Sequence, residues 1–147
     1  SKVEPAAPMT LQVTRAFKAS PEQVFDAWLN PDSVGRWLFA TPGGEMQEVA
    51  LDPRPGGAFT IVELRGEQRA EHFGEFLEIV RPRRLVFTFG TSKEEVPSLV
   101  TVEIAPTSEG CHLTLTHEMD AKWQAYRERV QDGWASILAG LEEKGIH

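Results

Sequence analysis

The sequence contains a single cysteine, Cys111, among its 147 residues. One cysteine excludes a disulfide within the chain and a zinc site built from cysteines alone. No apolar run approaches the ~20 residues that a membrane-spanning helix needs. Residues 1–9 lack the charged-then-apolar pattern of a signal peptide. We therefore expect a protein of the reducing cytoplasm that has no membrane partner.

Positive charge is also scarce. Lys and Arg total 15 against 22 Asp and Glu, which gives a net charge of −7. The densest basic cluster is Arg81-Pro82-Arg83-Arg84. Nucleic acids and anionic membrane surfaces both require a concentrated positive face. The composition therefore argues against either as a partner.

Motifs for metal, nucleotide or nucleophile chemistry are missing as well. The sequence has no HExxH, CxxC or GxSxG pattern. The pairs Gly43-Gly44 and Gly56-Gly57 lack the context of a phosphate-binding loop and read as turn glycines. We expect no metal and no cofactor, and we assign no catalytic residue.

The chain has the length of a single domain. We predict that this domain spans residues 9–147 and that residues 1–8 form a flexible N-terminal arm. The segment Ser20-Pro21-Glu22-Gln23 predicts a helix start, because Ser20 and Gln23 can bond reciprocally and proline suits the first helical position. Asn30-Pro31 ends that helix and starts a second short one.

Most of the remaining chain alternates as strands do. We predict strands at 9–18, 47–51, 58–64, 69–80, 84–89, 98–105 and 111–118. In the last strand Cys111, Leu113, Leu115 and His117 share one face. Hairpin-length connections between strands predict an antiparallel sheet with one covered face.

We predict that a helix of about six turns, over residues 122–144, packs on the covered face of the sheet. Its apolar residues recur at gaps of three and four: Trp123, Tyr126, Val130, Trp134, Ile137, Leu138 and Leu141. Asp120 is placed to cap it. Gly133 lowers the helix propensity of this segment. We interpret this glycine as a point where a strand or a ligand approaches closely or where the helix bends.

These pieces, in this order, resemble the helix-grip superfamily, also called START-like or SRPBCC. Within it they are most similar to the family named after the activator of heat-shock-protein-90 ATPase homologues. The resemblance runs from Leu11 to Glu143 and rests on FKASPEQVFDAWLNPDSVGRW, DPRPGGAF, GEFLEIVRPRRLVFTF, LTLTHE and DGWASILAGLE. It implies an α+β fold in which a curved antiparallel sheet of six to seven strands surrounds a long C-terminal helix. Two short helices follow the first strand, and a cavity lies between the sheet and the long helix.

The resemblance places Trp37 near that cavity, although Trp37 would also serve as a plug for the core. Phe39, two residues later, is a further candidate for contact with a ligand. Candidates for the cavity wall, each of which also fits an ordinary core position, are Phe59, Ile61, Phe87, Phe89, Val100, Val102, Leu115, Tyr126, Val130 and Trp134. His117 lies on an otherwise apolar face, either as a ligand contact or as a hydrogen-bonded core histidine. We interpret Glu63, Glu75 and Glu78 as carboxylates on the solvated outer face.

Three functions stay open. We favour a binding protein for a small hydrophobic or aromatic ligand of unknown identity. The family name suggests a chaperone-interacting module of the stress response. An enzyme, a cyclase or hydrolase, would use His117 or His72 with Tyr126. Edge strands also allow a homodimer.

Overall fold

The computed structural model describes residues 9–41, 43–91 and 97–146. The arm that we predicted at residues 1–8 lies outside them. Within the described ranges seven strands form one antiparallel sheet in the order β1-β7-β6-β5-β4-β3-β2. The strands are β1 Met9–Phe17, β2 Glu45–Leu51, β3 Ala58–Arg65, β4 Gln68–Val80, β5 Arg84–Phe89, β6 Ser98–Pro106 and β7 Cys111–Met119. The predicted sheet and its strand positions are confirmed, and no helix in these ranges is long and apolar enough to cross a bilayer.

The two short helices are α1, Pro21–Ala27, and α2, Pro31–Trp37. Both begin as the sequence predicts. The Ser20 hydroxyl accepts from the Gln23 backbone N–H at 3.1 Å, and the Gln23 side chain accepts from the Ser20 N–H at the same distance. The Asn30 side chain accepts from the Asp32 N–H at 3.0 Å. These caps satisfy N–H groups that a helix start otherwise leaves unpaired.

The C-terminal segment departs from the single helix predicted over 122–144. A 3-10 turn occupies Ala121–Tyr126, the α-helix α3 spans Arg127–Gly140, and a wider π-type turn covers Leu141–Gly145. Asp120 caps the 3-10 turn by accepting from the Lys122 N–H at 2.9 Å. Tyr126 has φ −103° and ψ 9°, outside α-helical geometry. The change of helix type therefore takes Tyr126 off the apolar stripe of α3.

Polar contacts fix this segment against the beginning of the chain. The Arg15 Nε lies 2.8 Å from a Glu142 carboxylate oxygen, and the Gln131 side chain donates to the Gln12 carbonyl at 3.3 Å. The Ser33 hydroxyl donates to the Gly145 carbonyl at 2.8 Å. The end of the chain is thereby anchored to both β1 and α2.

The sheet bends where β4 changes partners. Residues 68–75 of β4 pair with β3, and the pairing with β5 runs from Phe76 onward with a register shift before Glu78. Gly74 stands at this change, with the Thr88 carbonyl where a Cβ would be. Its missing side chain lets β5 approach closely. The core packs on the concave face that results, against α3 and the two short helices.

Candidate functional site

A cavity of about 830 Å³ lies between one end of the sheet and the C-terminal helix. Strands β4 to β7 supply one wall, the end of α2 and residues 39–41 a second, and α3 with its final turn a third. The rings that line it are Trp37, Phe39, His72, Phe89, His117, Trp123 and Trp134. Its charged lining residues are Arg36, Arg65, Asp120, Glu143 and Lys144. The lining therefore combines aromatic rings with aliphatic, small and ionic residues.

The structure divides the twelve residues predicted to contact a ligand into three groups. Five line the cavity: Trp37, Phe89, His117, Val130 and Trp134. Six are buried in the core without lining it: Phe59, Ile61, Phe87, Val100, Val102 and Leu115. Tyr126 is 46% exposed and does not line the cavity, so its predicted place in the wall is wrong. Consequently Tyr126 does not share a cavity with His72 and His117, as the proposed histidine–tyrosine pair requires.

Trp37 both lines the cavity and closes the core beneath it. Its indole N–H is shared between the Ser33 hydroxyl at 3.2 Å and the Ala27 carbonyl at 3.3 Å. Its ring meets Trp28 edge-on, with 4.7 Å between the ring centroids. Trp37 is 2% exposed. It is a rigid part of the wall, because its polar atom and its ring are both held by protein groups.

His117 is held by hydrogen bonds at both ring nitrogens. The Trp134 indole N–H donates to His117 Nδ1 at 2.9 Å, and His117 Nε2 lies 2.6 Å from the Ser98 hydroxyl. Because indole can only donate, Nδ1 must be the acceptor, and the ring proton resides on Nε2. The Ser98 hydroxyl then donates to the Phe89 carbonyl at 3.0 Å. This chain of bonds fixes His117 in its neutral form.

Burial reinforces that state, because it lowers the pKa of His117 to about 4. Both ring nitrogens already have partners, so His117 has no free lone pair for a substrate proton in this arrangement. Its geometry is that of a core histidine that positions its neighbours. The Ser98 oxygen keeps one lone pair with which it can accept a further hydrogen bond.

His72 is the second buried histidine of the cavity. It stacks on Phe39 with a centroid distance of 4.3 Å and an interplanar angle of 3°. Burial, followed by the charge of Arg65, lowers the pKa of His72 to about 4, against smaller opposing effects from Ile61 and Glu63. Its Nδ1 has no hydrogen-bond partner among the described residues. His72 is thus a neutral ring whose Nδ1 has no described hydrogen-bond partner, whereas buried polar atoms in proteins are normally hydrogen-bonded.

Phe39 lies at the centre of the aromatic cluster and has an unusual backbone conformation. It has φ +58°, which costs a residue with a side chain about 1–3 kcal/mol. Its ring stacks on both His72 and Phe89, with a centroid distance of 4.9 Å to Phe89. The edge of Trp134 completes the cluster at 5.8 Å.

Glu63 and Arg65 hold the backbone at Phe39 and just after it. The Arg65 guanidinium donates to the Phe39 carbonyl at 3.3 Å and to Glu63 at 2.6 Å. Glu63 accepts from the Thr41 backbone N–H at 2.7 Å and from its hydroxyl at 2.9 Å. Burial raises the pKa of Glu63, but hydrogen bonds from Arg65 and Thr41 outweigh it, and the net effect is a pKa below 4.5.

The prediction of Glu63 as a solvated carboxylate is therefore wrong. Glu63 is 1% exposed, because it lies on the same face of β3 as the core residues Phe59 and Ile61, and residues 39–41 cover that face at this point. Glu75 is exposed and Glu78 half-buried. Alternation along β3 places Glu63 on this inner face, but it does not identify the group that covers the carboxylate, which comes from a loop more than twenty residues earlier.

Other lining residues were also missed by the wall prediction. His72, Ser98 and Arg65 were absent from it, Phe39 was named only beside Trp37, and Trp123 appeared only as part of the helix pattern. The one available signal was local: Phe39 follows Trp37 at the end of α2. Gly133 lines the cavity too, and apart from its chain neighbours and the backbone of its own helix, no atom of the described residues lies within 4 Å of the position that a Cβ would take. No strand therefore approaches Gly133.

In the described part of the chain, no three His, Cys, Asp or Glu side chains are grouped so as to hold a metal ion. Cys111 is buried, and burial raises the pKa of its thiol. A raised pKa keeps the thiol protonated and unreactive.

Comparison with known proteins identifies the family of this chain. A family model described as activator of Hsp90 ATPase homolog 1-like protein matches residues 18–144. A crystal structure of a protein from Chromobacterium violaceum is 25% identical, with a TM-score of 0.83, over 94% of this chain and 97% of that one. No curated protein gives a significant match.

Two further solved structures share the fold. A protein from Nitrosomonas europaea is 23% identical, with a TM-score of 0.79, over 92% of each chain. An AHSA1-like protein from Aeromonas hydrophila, solved in solution, is 22% identical, with a TM-score of 0.78, over 95% of this chain and 96% of that one. Both structures are similar over nearly the whole length of each chain.

Proposed function

The chain belongs to the activator of Hsp90 ATPase homolog 1-like family, and we propose that it binds a small aromatic molecule in the cavity between its sheet and its C-terminal helix. The observation that carries the proposal is the wall of seven rings around a space of about 830 Å³. That volume lies within the roughly 300–1,000 Å³ typical of small-molecule sites. Planar ligands gain from offset or edge-on contact with such rings.

The cluster around Phe39 supports a planar ligand in particular. Phe39, His72 and Phe89 lie nearly parallel, with interplanar angles of 3° to 18° between their rings. Trp134 and His117 meet Phe89 edge-on. A flat ring system can extend this stack, whereas an alkyl chain would leave the ring faces incompletely covered.

Polar atoms in the wall would orient the ligand. His72 Nδ1 has no partner, and the Ser98 hydroxyl can accept one more bond. A ligand O–H or N–H can donate to the Ser98 oxygen, and a ligand hydroxyl can donate to or accept from His72 Nδ1 in either tautomer of that ring, which would satisfy a buried polar atom that otherwise carries a desolvation cost. A hydroxylated or amino-substituted aromatic compound fits these two atoms.

Binding can be tested by calorimetry and by the fluorescence of Trp134 and Trp123, with 2-naphthol as the probe. We expect the wild-type protein to bind 2-naphthol and Gly133→Phe to bind it at least about tenfold more weakly, because the added ring occupies the cavity. Gly133→Ala is the matched control. It adds a methyl group in open space and should retain binding.

Either of two results would contradict the proposal. One is the absence of binding by the wild-type protein to 2-naphthol and to a wider set of aromatic compounds in a thermal-shift screen. The other is equal affinity in Gly133→Phe and Gly133→Ala, provided that circular dichroism shows both variants folded.

A further inference from the structure

We propose that the ligand carries an anionic group, a carboxylate in the simplest case, which Arg36 and Lys144 bind at the rim of the cavity. This inference rests on the proposed function and adds the class of ligand to it. An aromatic acid would then place its rings among the cavity rings and its charge at the rim.

Arg36 and Lys144 lie together on one edge of the site. Both border the main cavity, and both also border an adjoining pocket of about 330 Å³. They therefore stand on the boundary that the two spaces share. Both side chains are exposed, so an anion bound there would remain partly in water and avoid most of the cost of burying a charge.

The backbone that carries these two cations is fixed. Arg36 precedes Trp37, and Lys144 precedes Gly145. The Ser33 hydroxyl bonds the Gly145 carbonyl at 2.8 Å, and a Cβ on Gly145 would lie 2.7 Å from Trp37 Cδ1. The end of α2 and the final turn thus pack directly on each other, and the cations project from adjoining segments.

The nearby acidic side chains that the structure describes do not form ion pairs with Arg36 and Lys144, so these two cations can bind an anionic ligand. Glu63 is engaged by Arg65 and Thr41. Within the described ranges no ion pair includes Arg36 or Lys144. Asp120 caps the 3-10 turn and is separated from Lys144 by the full length of α3, roughly 20 Å.

Glu143 is the remaining acidic residue of the lining, next to Lys144 in the chain. Among the described residues that line this edge, the cations Arg36 and Lys144 outnumber the single carboxylate of Glu143, in a protein whose overall charge is −7. A guanidinium fork can bind a carboxylate through two parallel bonds, and an ammonium adds a point charge. One ligand carboxylate would therefore complement the edge.

A matched pair of ligands isolates the anionic group. 2-Naphthoic acid and 2-naphthalenemethanol share the same ring system and differ in charge. We expect the wild-type protein to bind the acid about tenfold more tightly in low salt, as measured by calorimetry at pH 7. Raising the salt to about 0.5 M should weaken binding of the acid and leave binding of the alcohol unchanged.

Two double variants locate the effect. Arg36→Gln with Lys144→Gln should reduce the affinity for the acid to that for the alcohol, and should leave the affinity for the alcohol as in the wild type. Lys18→Gln with Arg129→Gln removes the same charge at exposed sites that do not line the cavity. This control should keep the preference for the acid.

The outcomes separate the two proposals. If the wild-type protein binds both ligands equally, or if the control loses the preference as fully as the rim variant, the anionic site is excluded and the aromatic cavity stands. If neither naphthalene compound binds and 2-naphthol also fails, the proposed function falls and this inference falls with it.

Discussion

At the scale of single residues, Glu63 has a buried structural role that its charge conceals, because it lies on the core face of β3 with Phe59 and Ile61. It is one of three consecutive buried residues in β3, after Ile61 and Val62. Its carboxylate joins residues 39–41 to the sheet and engages Arg65, which in turn holds the Phe39 carbonyl. The strained backbone of Phe39 is stabilised by this arrangement, so the aromatic cluster depends on a charged residue that does not line the main cavity.

We predict that Glu63→Ala lowers the free energy of unfolding by about 2–3 kcal/mol, as measured by urea denaturation at pH 7. The substitution leaves the Thr41 N–H and the partly exposed Arg65 guanidinium without their partner. Glu75→Ala, at an exposed position of β4, is the control and should change stability by less than about 0.5 kcal/mol. Similar losses in the two variants would contradict the role assigned to Glu63.

At the scale of secondary-structure elements, two glycines occupy opposite environments. Gly74 in β4 faces the Thr88 carbonyl and the Phe59 ring, which lies 2.6 Å from the position of a Cβ. Gly133 in α3 has open space at that position. The close approach of β5 to β4 depends on the first glycine, whereas no other described element packs against the Cβ position of the second.

The same substitution should therefore have opposite effects at the two sites. We expect Gly74→Ala to destabilise the protein by about 1–3 kcal/mol through overlap with β5. Gly133→Ala should stabilise it by up to about 1 kcal/mol, because alanine favours a helix. Thermal and urea unfolding of both variants would measure this. Stabilisation by Gly74→Ala would show that the strand bend tolerates a side chain.

Element positions could be read from the sequence because their signals are local. Capping residues mark the starts of α1 and α2, and alternation marks the strands. The residues that line the cavity could not be predicted from such local signals. Phe87 and Phe89 share a face of β5, yet only Phe89 lines the cavity. Periodicity tells which face of a strand is buried, but not where along it the core stops being filled.

The same limit explains the two kinds of error in the site prediction. Tyr126 fits the spacing of one continuous helix, but the change to a 3-10 turn rotates it toward solvent. His72 and Ser98 join the cavity because strands distant in the chain converge there. Such convergence depends on the bend of the whole sheet, which no short pattern encodes.

At the scale of the whole molecule, the two buried histidines couple stability to pH. Burial lowers the pKa of both His72 and His117 from 6.5 to about 4. Above pH 6.5 both are neutral in the folded and unfolded states. Between pH 6.5 and 4 the unfolded chain binds protons that the folded protein excludes, so stability falls as the pH decreases through this range.

We predict a loss of about 2 kcal/mol per histidine between pH 7 and pH 5, from urea denaturation at the two values. His117→Gln should remove about half of the pH-dependent loss, whatever its stability at pH 7. His112→Gln, at an exposed position of β7, should leave the loss unchanged. A full pH-dependent loss in His117→Gln would contradict a neutral, buried His117.

The pairing of β1 with β7 joins residues 9–17 to residues 111–119, while every other pair in the sheet joins strands consecutive in the chain. During synthesis β1 leaves the ribosome nearly a hundred residues before its partner exists. At roughly 5–20 residues per second, the delay is on the order of 5–20 seconds. Throughout it Met9, Leu11 and Phe17 lack the strand against which they become buried. The sheet is completed only when its last strand is translated, so the nascent chain must protect its first strand until then.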